Sequence, residues 1–97
     1  MPDAVHELLA TEVALEKLGA RHISAEEAGQ LPRNRYMTVR NAHAGGKPPA
    51  RRLMIGTTNG GRFLTLVIER TIDPTTWLIV TGWSSTAAER NLLARWP

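Results

Sequence analysis

The spacing of apolar residues along this chain changes character at Pro32. Before it, Val5, Leu8, Leu9, Val13, Leu15 and Leu18 recur mostly every three or four residues, the interval that lines one face of an α-helix. Asp3 can cap that helix, and Glu7, Glu12 and Glu16 fall on its other faces. Lys17 suits the negative end of the helix dipole, and Gly19 offers a left-handed stop. In Ile23-Ser24-Ala25-Glu26-Glu27-Ala28, Ser24 and Glu27 form a capping box, with Ile23 placed to staple back onto the first turn. A second, short helix is therefore predicted from about Ala25 to Leu31, closed by Pro32.

Beyond Pro32 the period becomes two. Tyr36 to Arg40 reads as a strand with Met37 and Val39 on one face, and Arg51 to Thr58 as another with Leu53 and Ile55 inward. Asn41 to Ala50, with Gly45-Gly46 and Pro48-Pro49, reads as a loop; Gly45-Gly46-Lys47 lacks the following helix of a phosphate loop, and His43 lies in the same stretch. Asn59-Gly60-Gly61 is a hairpin signal, and Arg62 to Arg70 is the returning strand, apolar enough to be central. Thr71 to Thr76 makes a turn around Asp73-Pro74. Trp77 to Trp83 is the next strand, where Gly82 marks a bulge or a close backbone approach. Thr86 and Glu89 form a second capping box, opening a helix to about Trp96. The predicted fold class is α+β in one domain over residues 1–97. It has an antiparallel sheet of three to four strands, two N-terminal helices and one C-terminal helix, all packed on one face.

Charge sharpens this picture. Residues 1–32 hold six acids and two bases, a net of −4, whereas residues 33–97 hold ten bases and three acids, a net of +7. Ten of the twelve bases are arginine, whose planar fork grips phosphate or carboxylate through paired hydrogen bonds. A basic half of this kind suits nucleic acid or an acidic partner, although solubility alone also favours it. With no cysteine, neither disulfides nor a thiolate zinc site can form, and His6, His22 and His43 are not spaced for a zinc site on one helix. No metal or cofactor is expected. The acidic opening is unlike a signal peptide, and the runs Phe63–Ile68 and Trp77–Val80 are far shorter than the ~20 residues of a membrane helix, so a cytoplasmic location without membrane contact is expected.

No self-sufficient catalytic motif is present, but arginines cluster around the hairpin: Arg51 and Arg52 open one strand, Arg62 opens its partner, and Arg70 follows Glu69 at that partner's end. Cleaving RNA without metal needs a base for the 2′-hydroxyl, cations for the charge growing on phosphorus, and an acid for the leaving oxygen. Glu69 and His22 are the candidate bases, and Arg52, Arg62 and Arg70 the candidate phosphate holders. The plainer alternatives are surface ion pairing for Glu69 and Arg70, worth about 0–1 kcal/mol, and a helix-junction role for His22. Trp77, Trp83 and Trp96 can stack on bases, but for at least two of them a packing role is expected.

Four segments together resemble the BrnT family: Arg52-Leu53-Met54-Ile55-Gly56, Gly61-Arg62-Phe63-Leu64-Thr65-Leu66-Val67, Trp77-Leu78-Ile79-Val80 and Ala88-Glu89-Arg90. Ile23-Ser24-Ala25-Glu26-Glu27-Ala28 is similar to that family's short helix before the sheet. The resemblance implies a curved RelE-like sheet and the toxin of a bacterial type II toxin–antitoxin system. That toxin would be a metal-independent endoribonuclease that halts translation, with RNA as substrate and a cognate antitoxin as protein partner. Arg52 and Arg62 are the positions the resemblance carries over, as substrate contacts; with the residue reading above, Arg52, Arg62 and Glu69 are the expected catalytic set and Arg51, Arg70, His22 and Trp83 the expected RNA contacts. Apart from the resemblance, Trp83 or the edge strand offers a surface for a homodimer. The family's third-strand arginine is missing from Trp77-Leu78-Ile79-Val80, and its closing tyrosine is replaced at Leu92-Leu93. These departures motivate the alternative of a non-catalytic module of the same fold that binds nucleic acid or a protein.

Overall fold

The computed structural model describes residues 3–40 and 51–96. The predicted loop from Asn41 to Ala50, with His43 and Gly45-Gly46-Lys47, lies outside the described residues. The elements run β1 (Glu7–Ala10), α1 (Glu12–Gly19), α2 (Ala25–Gln30), a 3-10 turn (Leu31–Arg33), β2 (Tyr36–Arg40), β3 (Arg51–Thr57), β4 (Phe63–Arg70), β5 (Thr76–Ser84) and α3 (Ala87–Arg95). The class is α+β, and the sheet has five strands in the order β1-β5-β4-β3-β2, larger than the three to four expected. All pairings are antiparallel except β1 with β5, which is parallel.

The extra strand comes from the segment expected to be helical throughout. Leu8 and Ala10 turn toward the core at period two, opposite Trp77 and Ile79, whereas Ala14 and Leu18 are buried at period four. The apolar pattern therefore contains both periods, and Thr11 is where they meet. Its hydroxyl accepts the Ala14 N–H and starts α1 there. Pairing with β5 covers a sheet edge that would otherwise be open, a tertiary gain that overrides local helix preference. Asp3, freed from capping, serves elsewhere. Gly19 is not the left-handed residue either: α1 closes with the Ile23 N–H on the Leu18 carbonyl, and His22 adopts positive φ at 59°.

The helices divide between the two faces of the sheet instead of sharing one. On the first face, α1 and α2 cover a core of Val5, Leu18, Ile23, Ala28, Leu31, Met54, Leu64, Leu66, Ile68, Trp77 and Ile79. On the second, α3 lies across the row Met37–Ile55–Thr65–Trp83, packing Leu93 on Met37 and Ile55. β4 is central, with Leu64 to Ile68 buried without a break. Opposite Val67 and Ile68 the register of β5 jumps from Thr81 to Ile79, so Val80 is a bulge. That extra residue places Trp77 and Ile79 on the same face as Gly82. Gly82 also lets Leu18 approach: a Cβ there would lie 2.6 Å from Leu66 Cδ2 and 3.0 Å from Leu18 Cδ2. Of the two readings of Gly82 from sequence, the close approach applies, whereas the bulge of this strand falls at Val80 and Gly82 itself stays in register with Leu66.

Candidate functional site

The seven residues singled out from the sequence fall into two groups at opposite ends of the sheet. Arg51, Arg52, Glu69 and Arg70 gather where β3 begins and β4 ends; His22, Arg62 and Trp83 sit where β4 begins and β5 ends. Arg52 pairs in register with Ile68, six residues from Arg62. At the usual rise that is a separation of about 20 Å. Glu69 is opposite Arg51, and alternation then puts it on the other face of the sheet from Arg52. Arg52, Arg62 and Glu69 are thus not brought into one catalytic trio.

The first group forms an arginine rim. On the α1–α2 face, Asp3 bridges two cations: Oδ2 accepts from Arg52 Nε at 3.0 Å, and Oδ1 from Arg70 Nη2 at 3.0 Å. Asp3 is held by the Thr38 hydroxyl at 3.2 Å, and its own N–H donates to that hydroxyl at 3.3 Å. The chain is anchored behind it, because Trp77 Nε1 donates to the Ala4 carbonyl, the Val5 N–H donates to the Tyr36 hydroxyl, and Val5 is buried. Arg70 stacks over the Trp77 ring, 4.8 Å from its centroid. On the α3 face, Arg51 Nε meets Glu69 Oε1 at 3.1 Å, with 46% and 36% of the two side chains exposed. Arg40, in register with Arg52, adds an exposed cation that has no carboxylate partner among the described residues. Four arginines on three adjoining strand ends thus face two carboxylates.

The second group is a structural fastening. Arg62 Nη1 donates to the His22 carbonyl at 2.7 Å and to both oxygens of Glu27 at 3.2 and 3.3 Å. Its Nη2 reaches Ser84 Oγ at 3.1 Å and the Arg21 carbonyl at 3.5 Å. One guanidinium therefore secures the left-handed turn between α1 and α2 to the ends of β4 and β5. The Ser24 N–H holds the Glu27 carboxyl below the usual range; burial opposes it, and Arg62 adds to the lowering. Trp83 donates its indole N–H to Glu89 at 3.0 Å and lies under Arg21, 5.8 Å from the ring centroid. Burial works to raise the Glu89 carboxyl. The Thr86 N–H, Trp83 and Thr65 outweigh it and leave it below the usual range.

No protein-family model matches the chain, and no curated protein matches it. Of the tryptophans, Trp77 is core and Trp96 packs beside Met37, Ile55 and Leu93, leaving Trp83 partly exposed. Sequence reasoning missed Asp3 as the anion between Arg52 and Arg70, because partners 49 and 67 residues away leave no local signal. It also missed Arg40, whose position at the end of a predicted strand beside an arginine-led neighbour was the available clue. Among the described residues, no helix is long and apolar enough to cross a membrane.

Proposed function

We propose that the chain is an RNA-directed toxin of the BrnT-like, RelE-like kind, a metal-independent endoribonuclease whose site is the arginine rim. The observation that carries this reading is the partly exposed Glu69 carboxylate, set on Arg51 at 3.1 Å on the α3 face, with Arg40, Arg52 and Arg70 at the same sheet end on the other face. Glu69 accepts the proton of a ribose 2′-hydroxyl, and that oxygen attacks the adjacent phosphorus. Arg51, exposed and on the same face as Glu69, stabilises the charge that grows on the phosphoryl oxygens, and the 5′-oxygen leaves with a proton from solvent. Arg70, Arg52 and Arg40, on the other face of the same sheet end, add to the field that draws the phosphate chain to this end. In this reading Arg62, His22 and Trp83 support the fold away from the chemistry.

A second reading has an observation of its own. Arg51, Arg52, Arg62 and Arg70 are each bound to a carboxylate, an arrangement equally suited to a module that recognises RNA or a protein partner without cutting. Incubating the purified chain with a defined RNA in EDTA separates the two. Cleavage that vanishes in Glu69→Gln while the variant stays folded supports the ribonuclease; RNA retained intact on well-folded wild-type protein supports the module. In cells, induced expression without a partner is expected to arrest growth, and an acidic antitoxin is expected to relieve the arrest by covering the rim.

A further inference from the structure

At the end of the second face away from Glu69, a groove of about 410 Å³ runs between α3 and the start of the β3–β4 hairpin. Its walls are Arg35, Thr57 and Phe63 on the sheet side and Arg90 and Asn91 on the helix side, over a floor that includes Leu93. The volume falls within the range of sites that hold small organic ligands. Its chemistry is unusual for a protein surface. Phe63, the first residue of β4, leaves 36% of its area exposed although the five residues after it are buried. Among the described residues no carboxylate lines the groove, and neither Arg35 nor Arg90 has an acidic partner. Arg35 is oriented by a hydrogen bond to the Trp96 carbonyl, while the exposed Arg90 side chain extends from one turn inside α3.

We infer that this groove is a docking site for one nucleotide of single-stranded RNA, with the base on Phe63 and the adjoining phosphate between Arg35 and Arg90. An aromatic ring beside arginines that meet no carboxylate among the described residues is the combination that holds single strands, since every base has a face to stack and every linkage a charge to neutralise. The Asn91 amide, able to donate and accept, reaches the edge of a stacked base. Among the described residues that line the groove there is neither a carboxylate nor a histidine, so the role proposed for it is to bind and position the strand. Phe63 and Glu69 point to the same face of β4, six residues or about 20 Å apart, so a bound strand is anchored away from the rim. As an RNA site the inference rests on the function proposed above, but its test reads binding separately from cleavage.

The experiment is fluorescence anisotropy with a labelled oligouridine carrying 2′-O-methyl riboses, which cannot be cleaved through the 2′-oxygen, run beside cleavage of the unmodified RNA. Arg90→Glu is expected to weaken binding at least about tenfold at low salt, while the equal charge change Lys17→Glu on α1 stays within about twofold. Phe63→Leu, which keeps an apolar side chain, is expected to cost about tenfold through lost stacking. Inorganic polyphosphate is expected to bind more weakly than the RNA and to ignore Phe63→Leu. Wild-type cleavage combined with unchanged binding in Arg90→Glu and Phe63→Leu would overturn the groove and spare the ribonuclease. Binding that depends on both residues without cleavage would uphold the groove and remove the ribonuclease. Failure of the folded wild-type protein to bind the oligouridine would overturn the groove, with the cleavage arm judging the ribonuclease by itself.

Discussion

The two ends of β4 carry arginines that look alike in sequence and differ in employment. Arg62, at the start, spends its guanidinium on two backbone carbonyls, a hydroxyl and the Glu27 carboxylate, all within the fold. Arg70, at the end, touches Asp3 through one nitrogen, lies over Trp77, and keeps 44% of its side chain in solvent. An arginine whose donors are consumed by main-chain carbonyls is a structural clamp, because displacing it leaves those acceptors unsatisfied. An arginine held by one carboxylate at a rim can exchange that anion for a phosphate at little cost.

The sharpest way to break this contrast is at the rim. Glu69→Gln is expected to lower RNA cleavage by about 10²–10⁴-fold, the usual loss on removing a general base. Its melting temperature should barely move, since the exposed Arg51–Glu69 pair contributes no more than about 1 kcal/mol. Arg62→Ala should show the opposite profile. Loss of its charged hydrogen bonds is expected to cost about 1.5–3 kcal/mol. At about 4–8 °C per kcal/mol for a domain this size, that is a large drop in melting temperature. Cleavage per folded molecule should persist; a fold-neutral Arg62→Ala that abolishes cleavage would return Arg62 to the site.

A smaller effect concerns acid. Glu27 and Glu89 both have folded-state values below the usual 4.5, so between the two values the unfolded chain binds more protons. Their contribution is complete above about pH 4.5 and is lost as pH falls through the lowered folded values. Thermal melts should therefore weaken below that pH, and less steeply in Glu89→Gln, which starts about 1 kcal/mol lower at neutral pH through its damaged cap. An identical slope in the variant would count against Glu89. The smallest change is expected from Asp3→Asn: stability within about 1 kcal/mol, because the pairs are partly solvated. Uncleavable RNA should bind several-fold more tightly as the competing carboxylate is removed, and weaker binding would show that Asp3 organises the rim instead of occupying it.

Much of the fold was legible from local chemistry. Both capping boxes, Ser24–Glu27 and Thr86–Glu89, form as read, and β2 to β5 begin and end within a residue or two of the predicted strands. Where local signals were mixed the reading failed. Leu8 to Ala10 satisfies a helical stripe and a strand equally, and only pairing with β5 decides between them. Pattern alone also could not assign α3 to the second face, which is set by the parity of Met37 and Ile55 relative to Leu64 and Met54. In the candidate site, the strand ends and their arginines were visible, but counter-charges are not. The register that separates Arg52 from Arg62, and the N-terminal Asp3 that reaches across the sheet, are properties of the assembled structure.

The most direct test of the central claim, that the rim meets RNA while Arg62 fastens the fold, is an NMR titration following the arginine Nε–H signals as uncleavable RNA is added. Arg51, Arg52 and Arg70 are expected to shift progressively while Arg62 stays in place. Movement of Arg62 with a silent rim would contradict it.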